Sequence, residues 1–436
     1  MSGTIIAQVI IILTSPIVTR LYTPTDMGLL ASFLAIVSIL GIIATGTYDQ
    51  AIVLPEDEKD SNALVFLSGG IAVLFGIIIS VIFIVFYEPL IFVFNLQDIP
   101  KIWVYCVGVI LTLIGFDTIL NRLATRGKQF KVLATTAVAQ QIGANGAKVG
   151  AGLFDIGVSG LLSATIFGYL IREIRLVLLQ KRTIFDKKNF PTFVRIKKVA
   201  LRYKKFPLIS SWSSLLNSTS TQLPVIMFAG FFYASVAGHY ALSHRILSLP
   251  IGIIGRNVGH VFLESASKVR NDMEKLKELA FPIYKRLLFI GTIIMSFVIF
   301  YGDLLFPFVF GKEWFVAGQY AQWISVWLVF VLVTSPLTVI YIVLEKQGEL
   351  LFINVTMFIL RISVILIAFV MGWSDIGTIA GFSIVGAFVY FFWGIRILYL
   401  VRISFFNAIK SSFIILFPIL IIQFISSFFI RKYLGV

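Results

Sequence analysis

Residues 350–371 read LLFINVTMFILRISVILIAFVM, 22 positions of which only Arg361, near the middle, is charged. A helix rises 1.5 Å per residue, so this stretch is long enough to cross a hydrocarbon core about 30 Å thick. The same ruler, carried outward, places twelve further spans near 3–19, 27–46, 63–87, 102–120, 132–152, 160–179, 207–230, 237–258, 287–306, 319–344, 378–400 and 411–430. Composition agrees with this count: of 436 residues 58% are hydrophobic and 13% charged, and the mean hydropathy is +0.97. A soluble chain of this length needs more polar surface. The expected fold class is therefore all-α, a polytopic membrane protein.

Lys and Arg set the orientation. Loops 47–62, 121–131, 180–206, 259–286, 345–349 and 400–410 hold 24 of them, against 5 on the other side of the spans. The first group is cytoplasmic. The net charge of +15 is thus mostly topological and calls for no nucleic-acid partner. The single cysteine, Cys106, excludes an intrachain disulfide, a Cys-based metal cluster and a CxxC pair. Residues 3–19 lack the basic lead and small-residue cleavage site of a signal peptide. The external loops are short, the longest being about 88–101, and the longest loop overall, 180–206, is cytoplasmic and basic. In it Phe193, Ile196, Val199, Ala200 and Tyr203 recur near helical spacing among Lys and Arg. Two readings fit: a basic amphipathic helix lying on the inner leaflet, or a solvated positive flank.

An internal repeat organises the spans. Gly152-Leu-Phe-Asp-Ile-Gly157 recurs as Gly372-Trp-Ser-Asp-Ile-Gly377. Leu123, Gly127, Tyr169 and Arg175 recur as Leu344, Gly348, Tyr390 and Arg396, and Pro16 and Gly28 correspond less closely to Pro224 and Gly238. Each matched half starts at the cytoplasmic face and holds six helices, an even number, so the repeats are parallel about an axis along the membrane normal. The expected organisation is an N-terminal lobe 1–180, a basic linker 181–206, a C-terminal lobe 207–400 and an extra transmembrane helix within 401–436. The expected architecture is two parallel six-helix lobes around a central cleft plus that helix.

The opening segment GTIIAQVIIILTSPIVTRLYTPTDMGLLASF, followed by YDQAIVLP, resembles the oligosaccharide and O-antigen repeat-unit flippases. These belong to the multidrug/oligosaccharidyl-lipid/polysaccharide exporter superfamily, and the Leu123–Gly127 and GxxDIG elements fit the same group. The resemblance covers about the first 400 residues. It implies twelve or fourteen helices in two lobes and transfer of undecaprenyl-diphosphate-linked glycans from the inner to the outer leaflet of the bacterial inner membrane. The chain departs from the pattern in an odd helix count and in a first helix that begins almost at Met1; a start set too far downstream or a shortened C-terminus would account for either.

A flippase needs a polar path for a phosphate-bearing sugar head. An ionisable group near mid-bilayer costs roughly 2.5–3.5 kcal/mol, so it usually faces protein or water. Arg361 is the leading substrate-binding candidate; the alternative is an interhelical hydrogen bond. Its counterpart in the first half is Gln140, beside Gln141 and Asn145 and about a turn from Lys148. These are read as polar cleft lining, with Lys148 a further cation. Arg245 and Arg256 share a helical face with His260, a basic stripe suited to phosphate oxygens, although Arg256 also suits snorkelling to headgroups. Arg20, at the outer end of the first span, reads as a substrate contact or an interfacial anchor. Asp49 and Asp117 are candidates for ion coupling; the alternatives are interfacial anchoring for Asp49 and a simple pair with Arg122 or Lys128 for Asp117. Three histidines without nearby cysteines or paired carboxylates do not make a metal site.

No catalytic set, Walker loop, HExxH or GxSxG is present, so neither catalytic residues nor a cofactor is expected. The expected partners are a lipid-linked oligosaccharide, the phospholipid bilayer and other membrane proteins of polysaccharide assembly. The competing functions are a lipid II flippase, a drug or cation exporter of the same superfamily, which would want acids rather than bases in its spans, and a membrane glycosyltransferase or ligase, which would want a large external loop.

Overall fold

The computed structural model describes residues 2–184 and 190–435. In chain order its α-helices are α1 Ser2–Leu21, α2 Pro24–Gly41, α3 Glu58–Val85, α4 Tyr87–Val93, α5 Lys101–Tyr105, α6 Val107–Arg126, α7 Phe130–Leu153, α8 Val158–Ile184 and α9 Phe193–Arg202. They continue as α10 Ser211–Phe231, α11 Ala234–Lys268, α12 Met273–Phe310, α13 Phe315–Leu337, α14 Val339–Val343, α15 Gln347–Val370, α16 Asp375–Leu400 and α17 Phe405–Leu434. Among the described residues every expected span falls on one of thirteen helices of 18 residues or more. Nine of these are long and apolar enough to cross a membrane. Of the other four, α1 has a shorter apolar stretch, Ile5–Leu21. The remaining three, α7, α8 and α10, are less apolar, carrying Gln140, Gln141 and Asn145, Arg172 and Glu173, and the run SWSSLLNSTSTQ respectively.

Local chemistry sets the ends. Thr23 caps α2 reciprocally with Asp26, with Pro24 in the first turn. Asp57, Asp272, Ser374 and Ser404 cap α3, α12, α16 and α17 by accepting from backbone N–H groups. The two GxxDIG elements form the α7–α8 and α15–α16 turns, where Gly157 and Gly372 hold φ of +61° and +66°, values open to glycine at no steric cost. Helices run through Pro16, Pro224 and Pro250, whereas α13 ends one residue after Pro336.

The chain forms two compact units, Met1–Gly238 and His239–Val436, dividing within α11. In the first, α3 packs on α6, α6 on α8 and α7 on α8; in the second, α12 packs on α13, α13 on α16 and α15 on α16. Corresponding helices thus make corresponding pairs. The likeness extends to atoms. A Cβ on Gly108 would lie 1.9 Å from the Gly76 carbonyl oxygen, and one on Gly318 would lie 2.3 Å from that of Gly302. In both units the α3–α6 type of crossing depends on paired glycines that let two backbones touch.

The odd helix is tied firmly into the second unit. The Tyr284 hydroxyl shares a 2.8 Å hydrogen bond with that of Ser412, Tyr301 donates to Ser426 at 2.8 Å, and Arg431 clasps both oxygens of Asp303 at 2.7 and 2.9 Å. Partners rise together in number, so α12 and α17 run in the same direction, as the alternation of loops requires. By the same test α6 and α8 are parallel, joined by Asp117–Arg172 and Leu120–Gln180.

The basic linker corrects one reading. The stripe matched to a lipid surface is in large part an internal contact: Val199 is buried with Tyr48, Ile52, Ala63 and Leu64, and Ile196, Ala200 and Tyr203 pack on the same cluster. Only Phe193 of that stripe stays exposed. Trp314, just before α13, is fully buried and meets His239 edge-on, 5.7 Å between ring centres, so it belongs to the core.

Candidate functional site

In the first unit the polar groups gather where α6, α7 and α8 meet. Arg172 on α8 spreads its guanidinium over three side chains: Nε lies 3.0 Å from Asp117 Oδ1 as an ion pair without hydrogen-bond geometry, Nη1 donates to Gln140 Oε1 at 3.0 Å, and Nη2 donates to Asn121 Oδ1. Asp117 and Gln140, expected from the sequence, are therefore joined by a residue that the sequence shows only as one more cation within a span. The anticipated partners of Asp117, Arg122 and Lys128, are not the ones used. Arg122 lies five residues along α6, about 140° round the helix, and turns instead to Asp49 at 3.4 Å, which also accepts from Thr45 at 2.7 Å. Glu173 is buried beside this cluster, its Oε1 without a hydrogen-bond partner among the described residues. It lines a groove of about 500 Å³ whose other walls are apolar, from Val65, Phe66, Gly69, Gly70 and Val73 of α3 to Phe116 and Leu120 of α6.

The remaining first-unit candidates lie elsewhere on α7 and α1. Asn145 donates to the Gln141 carbonyl at 2.8 Å. Lys148 is half-buried, and its backbone carbonyl accepts from the Tyr22 hydroxyl at 2.8 Å. Arg20 is exposed in the last turn of α1.

In the second unit Arg361 is half-buried, its guanidinium carbon 4.1 Å from the centre of the Trp327 ring and 4.4 Å from that of Phe382. Its Nε has no hydrogen-bond partner among the described residues. The His244 ring stacks on Trp327 at 6.0 Å and on Tyr240 at 5.6 Å. Aromatic faces are negative and attract a cation, so Arg361 is held mid-span by α13 and α16 while its polar edge stays uncommitted. The hydrogen bond envisaged as its alternative role is not what holds it. Arg245 is exposed on α11. Arg256 is exposed too and donates from Nε to its own Gly252 carbonyl at 2.9 Å, folded back along the helix. His239 reaches the Glu313 carbonyl at 3.3 Å, and no cluster of metal-ligating groups occurs among the described residues.

Sequence reasoning missed Glu173, Trp327 and Phe382. An acid next to Arg172 inside a span was the available signal for the first. Nothing separates a core tryptophan from a lipid-facing one in composition alone.

A family model described as polysaccharide biosynthesis protein matches residues 17–318. The chain belongs to this polysaccharide biosynthesis protein family. It is 22% identical over 262 residues to the succinoglycan biosynthesis transport protein ExoT of Rhizobium meliloti (strain 1021), a match covering 60% of this chain and 51% of that protein. The chain thus spans about half the length of the curated relative it matches. Its fold is similar to that of the lipid II flippase MurJ in an inward closed conformation, with a TM-score of 0.69, 15% identity and coverage of 99% of this chain and 98% of that one. It is also similar to an inward-facing multidrug resistance MATE transporter of the MOP superfamily, with a TM-score of 0.68, 16% identity and coverage of 91% and 96%. This member of the polysaccharide biosynthesis protein family is a multi-pass membrane protein with a transporter fold.

Proposed function

We propose that this chain is a flippase moving undecaprenyl-diphosphate-linked oligosaccharide repeat units from the cytoplasmic to the outer leaflet of the bacterial inner membrane by alternating access, for O-antigen, capsule or exopolysaccharide synthesis. It acts as a transporter, without covalent chemistry. Family membership and the likeness to a succinoglycan transport protein support the substrate class. The observation that carries the reading is a mid-span arginine, Arg361, fixed by two aromatic faces and leaving guanidinium hydrogens unspent. Such a group is suited to a phosphate or a sugar hydroxyl. Arg245, Arg256, Lys148 and Arg20 are proposed as further cations along the path, with Gln140, Gln141 and Asn145 as polar lining. Asp49 and Asp117, each beside an arginine, are proposed to couple transport to an ion gradient.

The test is leaflet-specific detection of lipid-linked glycan in cells carrying Arg361→Ala or Arg245→Ala variants at normal levels. Glycan accumulating on the cytoplasmic leaflet is the expected result. Full surface glycan in both variants overturns the site assignment, and an unchanged leaflet distribution on depleting the protein itself overturns the function.

A further inference from the structure

The face of α9 opposite its docked side has no account in the packing. At 3.6 residues per turn, Phe193, Lys197, Leu201, Val194 and Lys198 fall within about 140° of one another and point away from Val199 and Tyr203. Three of these are large apolar side chains left open, Phe193 at 80%, Val194 at 77% and Leu201 at 60% exposure. Lys197 and Lys198 are exposed between them, with no carboxylate within 4 Å among the described residues. The inward side is tethered: Arg195 pairs with Asp57 and Asp60, and Arg202 reaches Asp60 at 3.9 Å. Arg195 and Arg202 stand two helical turns apart and both reach Asp60, in the first turn of α3. Asp57 caps α3, which puts α9 at the cytoplasmic end of a membrane span.

A helix in that place, with apolar bulk and lysines interleaved on its free side, has the chemistry of an anionic-lipid surface. We infer that the Phe193–Val194–Leu201 face of α9 inserts into the cytoplasmic leaflet, with Lys197 and Lys198 on the phosphates of anionic phospholipids. Lys204 and Lys205, also exposed, and the exposed Leu208, Ile209 and Trp212 continue the same basic and apolar strip toward α10. The occupant is lipid and not a protein because the strip borders the membrane spans and its charge is complementary to the inner leaflet.

The test uses the full chain carrying Cys106→Ser, with a nitroxide at Val194→Cys or Leu201→Cys and a reference label at Glu274→Cys, an exposed cytoplasmic position. Each is placed in nanodiscs of phosphatidylcholine alone or with about 30% phosphatidylglycerol, an anionic content of the kind basic segments respond to. Collisions with oxygen and with a water-soluble nickel chelate are then measured. With phosphatidylglycerol the labels at 194 and 201 should gain oxygen and lose nickel accessibility by roughly threefold, as a face sunk several ångströms below the headgroups does. Lys197→Gln with Lys198→Gln should abolish the difference between compositions, and the reference label should not respond. Nickel accessibility at 194 and 201 equal to that at 274 in both lipids overturns the inference and leaves the face to a soluble partner. Equal shielding in both lipids overturns the role of the lysines. Neither readout involves flipping.

Discussion

Replacing Arg172 with Met separates the buried charges of the first unit in a measurable way. Arg172 and Asp117 keep only 20% and 14% of their side-chain exposure, so water cannot take over from the lost guanidinium. The least costly escape is for Asp117 to become neutral. At pH 7, about three units above where a free aspartate takes its proton, that costs about 4 kcal/mol, within the roughly 3–5 kcal/mol seen when one partner of a buried pair is removed. Gln140 and Asn121 also lose their donor, which only adds to the deficit. At about 2–4 °C per kcal/mol for a unit of this size, the melting midpoint should fall by about 8–16 °C in a fluorescence melt of detergent-solubilised protein. Asp117→Asn combined with Arg172→Met should restore more than half the loss at pH 7. A single variant melting within about 2 °C of the parent at pH 7 would refute the reasoning.

Three further outcomes can be checked with the same melts. Gly108→Ala, whose new carbon would sit 1.9 Å from the Gly76 oxygen, should destabilise by about 1–3 kcal/mol or more, whereas Gly70→Ala, facing open space, should be neutral or stabilising by up to about 1 kcal/mol; similar effects at both would contradict the close crossing. The Asp57 carboxyl is held below the usual carboxylate range, first by the Lys59 backbone N–H and also by Arg195, so the melting deficit of Asp57→Ala should be full at pH 7 and vanish as pH drops through that lowered value. A deficit unchanged down to acid pH would show that the cap carries no charge-dependent share. Arg361→Lys keeps the charge but loses the flat stack on Trp327 and Phe382, and should lower stability by about 0.5–2 kcal/mol; an unchanged midpoint would mean the rings do not hold the cation.

Hydropathy made the thirteen long helices among the described residues legible, nine of them long and apolar enough to cross a membrane, because a helix satisfies its own backbone groups in lipid. The GxxDIG recurrence likewise marked two real turns, since a left-handed glycine is required where α7 meets α8 and α15 follows a related path into α16. Which side chains meet was far less visible. Asp117 and Arg172 stand far apart in sequence and come together only because α6 and α8 run parallel in one rotation about their axes. Arg361 was visible as a misplaced charge, but its Trp327 and Phe382 faces were hidden among the many aromatics of the spans. The α9 stripe failed for a related reason: apolar residues recurring on one side of a helix mean that this side is covered, and leave open whether protein or membrane covers it.

The twin glycine crossings suggest how such a chain comes to be. If an ancestral segment was doubled, what descended intact is a distance between two backbones at Gly76–Gly108 and at Gly302–Gly318, while the letters around them drifted. A saturation mutagenesis survey scored for folded protein should then show two pairs of near-blank columns in the same places of each half, a scar of common ancestry written as intolerance where resemblance of sequence has worn away.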